Sequence, residues 1–404
     1  MGGGMRIGMM VDVYKPHISG ITNYISINKQ FLEKKGHEVF VFTFSDMDYE
    51  DNEPNIIRSP GLPLLDTGYY ISLSYTPQAK KLLNTMHVVH VHHPFLSGNL
   101  ALRYCRSRGI PIIFTNHTRY DLYSQAYLPP MADIIGAAAV QAYLPAFCRA
   151  CDMVISPSAG MRDVLVGLGV DTPIEIAPNG VDLRPFQAPS YSIDRRELGL
   201  SAKDVVLIYV GRLGPEKNLQ FLLRSFAGVV QAYDHARLLL IGDGPEREIL
   251  QDMVTRTNIC DCVIFAGMVP YELVPAYLSM ADAFVTASVT EVHPLTVVEA
   301  MAAGLPVLGI NSPGIGDTIR EGESGYLVQH EDMASFTAKM VRLVRENEYR
   351  RQMGERARQA AAEYNIERTT IVMEEHYRHV IELAKSRKRS LRTRFLRWMD
   401  AIRR

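Results

Sequence analysis

The sequence predicts an α/β protein of two domains, each a parallel sheet with helices on both faces. Three observations carry this. Short, nearly continuous apolar runs alternate with longer amphipathic stretches along most of the chain, as expected of strands buried on both faces and joined by helices. The alternation pauses at Pro178–Pro189, a segment rich in Pro and Asn-Gly turns, and then restarts, which marks a linker between two units. At 404 residues, 47 % hydrophobic and 22 % charged, the chain has the length and the ordinary soluble composition for two or three separate cores.

In the first unit Arg6–Val11 is an apolar strand, followed by a loop with Gly20 and an amphipathic helix to about Gly36. Strand, glycine loop and helix open a Rossmann-like unit, and Gly20 would let the backbone approach a phosphate. The G-x-G-x-x-G fingerprint is absent, and a tight turn would also explain the glycine. His37–Phe44 reads as the second strand and Asp46–Glu53 as an acidic, solvated loop. Val88–His92 is the next strand, ending in His92, His93 and Pro94 at the ligand edge of the sheet. His87, His90, His92 and His93 suggest a metal, but strand alternation puts His90 and His92 on one face and the other two elsewhere. Ile110–Thr115 is a strand that runs into His117, and the carboxyl end of a parallel strand lies in the cleft where open α/β sheets bind ligands. Met131–Ala150 reads as a long apolar helix, and the strands Asp152–Ser156 and Ile174–Ala177 flank a helix from Ser158. The second unit has strands at Val205–Val210, Arg237–Ile241, Val263–Ala266, Ala283–Thr286, Pro306–Ile310 and Gly325–Val328, and everything after Glu331 reads helical.

The chemistry concentrates in Ser288–Leu308. Glu291 and Glu299 flank a loop, His293-Pro294, and an apolar helical run, Leu295–Met301, closed by Ala302, Ala303 and Gly304. Such a helix presents free N–H groups at its start, where an anion or sugar hydroxyls can sit. Glu291 is expected in front of that terminus and Glu299 about two turns inside it, both facing one ligand. A surface Glu and a helical Glu facing water would read the same.

Three motifs resolve the ambiguity. Glu291–Val307 resembles the E-x7-E segment of retaining glycosyltransferases of the family-four type. Tyr209–Asn218 resembles the family's G-R-x-x-x-x-K-N loop, and Pro178-Asn-Gly-Val-Asp182 its P-N-G-V-D hinge. The order is the family's, and the match covers Met5 to about Tyr377. The resemblance implies the GT-B fold: two Rossmann-like domains facing across a cleft, at 5–180 and 190–365, with helices over 366–404 that cross back to the first domain. It implies that Glu299 holds a ribose, that Glu291 approaches the donor sugar, and that the N–H groups of Leu295 and Thr296 after Pro294 take sugar hydroxyls and phosphate. Met268 and Val269 would lie beside the base, and His117 beside the sugar. Arg212 and Lys217, with Gly211 and Gly214 allowing close approach, suit a departing diphosphate, Arg212 gripping bidentately and Lys217 as a point charge. No D-x-D occurs at a strand end, so protein cations are expected to replace a metal; no cofactor is expected beyond the substrate nucleotide-sugar. The H-T-x-Y-x-x-Y context of His117 is similar to the branch that glucosylates diacylglycerol, which points to UDP-glucose and a membrane lipid.

Net charge is −1, so no global field favours nucleic acid. The charge is uneven: Lys385–Arg404 holds nine basic residues against Asp400 alone. Within it Leu391, Phe395, Trp398 and Ile402 form one stripe among Arg392, Arg394 and Arg397, as in a helix lying on an anionic membrane surface. A helix docked on the protein or a basic tail without structure would share that pattern. No apolar run approaches the roughly 20 residues a spanning helix needs, and no secretory leader is evident, so the expected location is the cytoplasmic face of a membrane. Met1–Gly4 resembles a loose leader. Five cysteines fit a reducing compartment, and Cys148/Cys151 and Cys260/Cys262 are expected as core thiols rather than a zinc site. The rival functions are a glycosyltransferase with a soluble, polyprenyl or phosphoinositide acceptor or a GDP-mannose donor, and a non-catalytic membrane-surface binding protein. The missing dinucleotide fingerprint excludes a nicotinamide dehydrogenase.

Overall fold

The computed structural model describes residues 3–17, 19–45, 49–64, 68–120, 122 and 142–402, with side chains as far as Arg387. The first domain is built on β1 (Arg6–Met10), β2 (Glu38–Ser45), β3 (Ile56–Pro60), β6 (Val88–Val91), β7 (Ile112–Thr115), β8 (Met153–Ser156) and β9 (Ile174–Ile176), all parallel in the order β3-β2-β1-β6-β7-β8-β9. A small antiparallel hairpin, β4 (Leu62–Pro63) and β5 (Tyr70–Ile71), follows β3. The second domain has β10 (Val205–Val210), β11 (Ala236–Ile241), β12 (Val263–Gly267), β13 (Ala283–Thr286), β14 (Val307–Ile310) and β15 (Gly325–Val328), in the order β12-β11-β10-β13-β14-β15. In each sheet the order reverses beside its first strand, between β1 and β6 and between β10 and β13. Loops leaving the carboxyl ends of those strands part there and open a crevice.

Strand alternation fills both faces of each sheet. In β10, Val205, Leu207 and Tyr209 enter one apolar cluster, while Val206, Ile208 and Val210 enter the other. The helix Leu219–Ala232 covers the first cluster with Leu219, Leu222, Leu223, Phe226 and Val229, a stripe at helical spacing. The first domain repeats this: Met10, Phe42 and Val91 face one way, Met9, Val41 and Val88 the other.

The structure departs from sequence expectation in four places outside the cleft. The strand β3 carries only two apolar residues, Ile56 and Ile57, and ends in Pro60, which an edge strand tolerates. The acidic loop before it is not merely solvated: Asp51 grips Arg58 at 2.8 Å, and Glu53 accepts from Lys15 and Tyr14, each at 3.0 Å. The linker is packed rather than loose. Val181, Leu183 and Phe186 are buried in the second domain's core, and Val181 exchanges backbone hydrogen bonds of 2.9 Å with Tyr364 and Ile366. Cys148 and Cys151 are buried as expected, but Cys260 is exposed on a short turn. Of the expected helix Met131–Ala150, residues before Ala142 lie outside the described residues; Ala142–Ala150 is helical.

Helices close the chain: Met333–Arg345, Asn347–Ala361 and the long Ile366–Ile402. The last packs on the first domain. Met373, Tyr377 and Val380 enter that domain's core, and Glu374 bonds Lys35 at 3.0 Å. Among the described residues no helix is long and apolar enough to cross a membrane.

Candidate active site

The carboxyl-end loops of the two sheets meet. After β13 the chain runs Ser288–Pro294 into the helix Leu295–Ala302, and Val292 of this second-domain loop is buried in the first domain's core. Leu295 packs against apolar clusters of both domains. Nearby, Asp317 of the helix Pro313–Thr318 accepts the Gly160 N–H of the first domain at 2.6 Å. The Glu291–Leu295 loop is therefore held between the two sheets.

On the opposite wall of the second domain, the loop after β10 carries both cations. Gly242 lies so close to it that a Cβ there would stand 1.9 Å from the Gly211 carbonyl. The Glu216 carboxylate occupies the space a side chain at Gly214 would need. The backbone carbonyl of Glu216 accepts from Ser288 and Thr290 at 3.4 Å each, tying this loop to the next. The result is a direct contact: Lys217 Nζ lies 2.7 Å from Glu291 Oε1. Burial pushes the Glu291 carboxyl up, but the Lys217 charge and hydrogen bond, with Ser288, outweigh it and hold it below the ordinary carboxylate range. Arg212 is exposed on the same loop, and its charge reaches His17 of the first domain.

Glu299 is the fifth residue of its helix, little more than one turn inside rather than two. It is buried and accepts from the Tyr271 hydroxyl at 2.7 Å. Burial pushes its carboxyl up to about 7, against the Tyr271 hydrogen bond. Tyr271 stands just past the Gly267–Val269 loop, so the stretch expected to flank a base also supplies the hydrogen-bond donor to Glu299. Met268 itself projects outward, 70 % exposed. No side chain caps the helix at Pro294, which leaves its leading N–H groups for a ligand. Gly20 opens the helix Gly20–Lys34, capped by Ser19 and Thr22, and a Cβ there would touch nothing within 4 Å. The protein's own packing therefore does not require glycine at that point.

His117, at the end of β7, is half-buried against the Tyr24 ring, centroids 4.9 Å apart, and its Nε2 lies 3.0 Å from His92 Nδ1. Burial, then the neighbouring histidines His90, His93 and His293, hold it well below its usual pKa, which favours the neutral imidazole. That His293 acts on it brings the two domains' site residues together. His92 Nε2 is buried without a hydrogen-bond partner. An orphaned acceptor costs less than an orphaned N–H, which assigns His92 Nδ1–H as donor to His117 Nε2 and leaves Nδ1–H as the donor of His117. His90 continues the row with its ring 4.1 Å from that of His92, bonding Tyr377 and Thr115 at 2.8 and 2.7 Å. Among the described residues no three His, Cys, Asp or Glu side chains form a group able to hold a metal ion.

Two family models match in series: Glycosyltransferase Family 4 over residues 18–184 and Glycosyl transferases group 1 over residues 190–360. An alpha-monoglucosyldiacylglycerol synthase of Streptococcus pneumoniae is 33 % identical over 81 % of this chain and 76 % of its own length. This chain belongs to the family-four glycosyltransferases. The synthase of the same name from Acholeplasma laidlawii is 30 % identical over 80 % of the chain and 84 % of its own length. Among solved structures, sucrose-phosphate synthase of Thermosynechococcus elongatus superposes with a TM-score of 0.76 at 21 % identity, covering 94 % of this chain and all of its own. HepE of Anabaena, in complex with UDP and glucose, gives 0.73 at 16 % identity, covering 92 % and 99 %. These neighbours share the GT-B fold of two Rossmann-like domains.

In this family-four chain Lys217 thus meets Glu291, a contact that the motifs alone did not indicate. Tyr271, His17 and Tyr24 were not singled out from sequence. A histidine at a strand's end marked His92, but only as a candidate metal ligand; nothing local marked Tyr271. Arg392, Arg394, Phe395, Arg397 and Trp398 lie beyond the described side chains, on the backbone of the long terminal helix.

Proposed function

We propose that this glycosyltransferase moves glucose from UDP-glucose to the hydroxyl of a diacylglycerol-type lipid with retained configuration and without a metal ion. The observation that carries the mechanism is the cation pair on the β10 loop, with Lys217 set against Glu291. As the bond from the anomeric carbon to the diphosphate oxygen breaks, negative charge grows on the diphosphate, and Arg212 and Lys217 are placed to stabilise it. The acceptor oxygen bonds to the anomeric carbon from the same face, and its proton passes to the departing phosphate oxygen. Glu299, poised by Tyr271, receives the ribose hydroxyls, and the N–H groups after Pro294 receive sugar hydroxyls or phosphate. Nδ1–H of His117 donates to the sugar. A carboxylate that accepts hydroxyl donors works only ionised, so the donor itself, by hydrogen bonding, draws Glu299 toward its charged form.

Glucose, UDP and diacylglycerol are supported by likeness to the two synthases, at 33 % and 30 % identity. The expected setting is the cytoplasmic membrane face, with the basic stripe of residues 391–402 as one contact. The test is a panel of radiolabelled UDP- and GDP-sugars offered with diacylglycerol in mixed micelles and with soluble acceptors, each with and without excess EDTA. Glucosyl-lipid from UDP-glucose, unaffected by EDTA, is the expected product. Transfer only to a soluble acceptor overturns the acceptor, and loss of activity restored by Mg²⁺ overturns the metal-free scheme.

A further inference from the structure

The long terminal helix Ile366–Ile402 belongs to neither sheet, yet one of its side chains reaches the row of histidines behind the crevice. Tyr377 is buried, and its hydroxyl lies 2.8 Å from His90 Nδ1, 287 positions away in the chain. The other ring nitrogen of His90 meets Thr115 Oγ1 at 2.7 Å, where Thr115 closes β7 two residues before His117. A hydroxyl can donate or accept, so either tautomer of the neutral ring is satisfied at both nitrogens, and the ring is pinned in one orientation. The core around Met373, Tyr377 and Val380 would take a phenylalanine at 377 on volume alone; the hydroxyl serves His90.

From His90 the contacts run on to the site. Its ring lies 4.1 Å from that of His92, which in turn bonds His117 at 3.0 Å. His92 Nε2 is buried without a hydrogen-bond partner, so the plane of that ring is set by packing, against His90 on one side and Tyr24, centroids 5.9 Å apart, on another. In a close-packed interior a ring turns only where its neighbour gives way. The same helix also holds the other end of β7. Arg387 bonds Asp152 Oδ1 at 2.5 Å, and Asp152 Oδ2 accepts the Ile112 N–H at 2.9 Å, where the strand begins.

We propose that Tyr377 is a positioning residue for glycosyl transfer. By fixing His90 it fixes His92, and through His92 the tautomer and direction of His117. The role rests on the reading of His117 as a contact of the donor sugar; Tyr377 itself acts only through the two imidazoles between. The terminal helix is then part of the support of the site rather than a strap outside it. A helix that follows the second domain sets a side chain of the first, so His117 takes its working orientation only once the chain has crossed back.

The test uses the full chain with nitrogen-labelled histidine rings, read by NMR, and transfer from labelled UDP-glucose to micellar diacylglycerol or, without acceptor, to water. Tyr377→Phe removes one hydroxyl. It is expected to move the ring-nitrogen signals of His90, His92 and His117 and to lower kcat roughly tenfold with little change in donor KM, since misplacing a positioned group by about 1 Å can cost about 100-fold. In a His117→Ala background the same substitution should leave kcat where it is, because the row then has nothing to position. Glu374→Gln, which loosens the same helix from Lys35 and Arg378, should lower the melting temperature but neither kcat nor the histidine signals. Unmoved His117 signals in Tyr377→Phe overturn the proposal. So does an equal loss of kcat in Tyr377→Phe and Glu374→Gln, or a loss from Tyr377→Phe that persists in full without His117. If His117→Ala turns over like the wild type while the signals still move, the coupling along the row stands and the sugar contact of His117 falls.

Discussion

Replacing Lys217 with Ala separates the structural and chemical roles of the cation loop. The ammonium lies 2.7 Å from Glu291, and the two side chains are only 21 % and 22 % exposed. Fully buried pairs cost about 3–5 kcal/mol when one partner is lost, and exposed pairs about 0–1. A pair one-fifth exposed falls between, at about 2 kcal/mol, or a drop of roughly 4–8 °C in the melting temperature of a domain this size. The deficit should depend on pH. Without Lys217, burial dominates Glu291 and its folded pKa rises above the unfolded value. The folded state then holds the extra proton, so stability falls as pH rises through that window, and the mutant's deficit should shrink toward pH 5. Turnover should fall by roughly 10²–10³-fold, the scale for removing one preorganised stabilising group. Thermal melts from pH 5 to 8 and single-turnover transfer from labelled donor measure both effects. Adding Glu291→Gln should restore the melting temperature and leave turnover low. A Lys217→Ala enzyme with turnover within a few-fold of wild type refutes the chemical assignment, and a melting temperature insensitive to both substitutions refutes the electrostatic one.

Glu299, raised to about 7, binds an extra proton in the folded state below that pH. Folding stability from this group should therefore decline by roughly 3 kcal/mol between pH 4.5 and above 7, and Glu299→Gln should flatten that slope in urea titrations. The same ionisation should make UDP affinity rise with pH through about 7 in calorimetry, a rise absent in Glu299→Gln. His92→Ala should lower kcat about tenfold or more with little change in donor KM, because it releases the tautomer and orientation of His117; His92→Asn, whose amide can still donate, should recover part of the rate. Truncation after Ala384 should leave UDP binding intact and weaken binding to anionic vesicles in a salt-dependent way, and Trp398, the chain's one tryptophan, should shift to the blue on such vesicles if the terminal stripe engages them.

Much of the fold is legible because parallel strands covered on both faces must be apolar throughout. Val205–Val210, Ala283–Thr286 and Gly325–Val328 stand out as such runs with the ends the structure gives them. The strand β3 and the hairpin after it escape, since an edge needs no second apolar face and its acids and bases are free to pair, as Asp51 and Arg58 do. The linker at Val181–Phe186 looks loose for the opposite reason: its turn residues are local, while the core that buries it comes from elsewhere.

By itself the sequence determined the two-domain α/β architecture and the donor-site motifs, because apolar periodicity and motif spacing are local properties of the chain. Arg212, Lys217, Glu291 and Glu299 could be named from it. Only the tertiary structure decided which of these groups touch. Lys217 and Glu291 are 74 positions apart and meet because β10 and β13 are neighbours across a switch in strand order. His92 meets His117, and Tyr271 meets Glu299, through the register of adjacent strands and the start of a helix. Those contacts set the charge states: a carboxyl under Lys217 is held ionised, whereas one buried under a tyrosine hydroxyl is pushed up to about 7. Charge state depends on burial and on neighbours within a few ångströms, and neither is written in the order of residues along the chain.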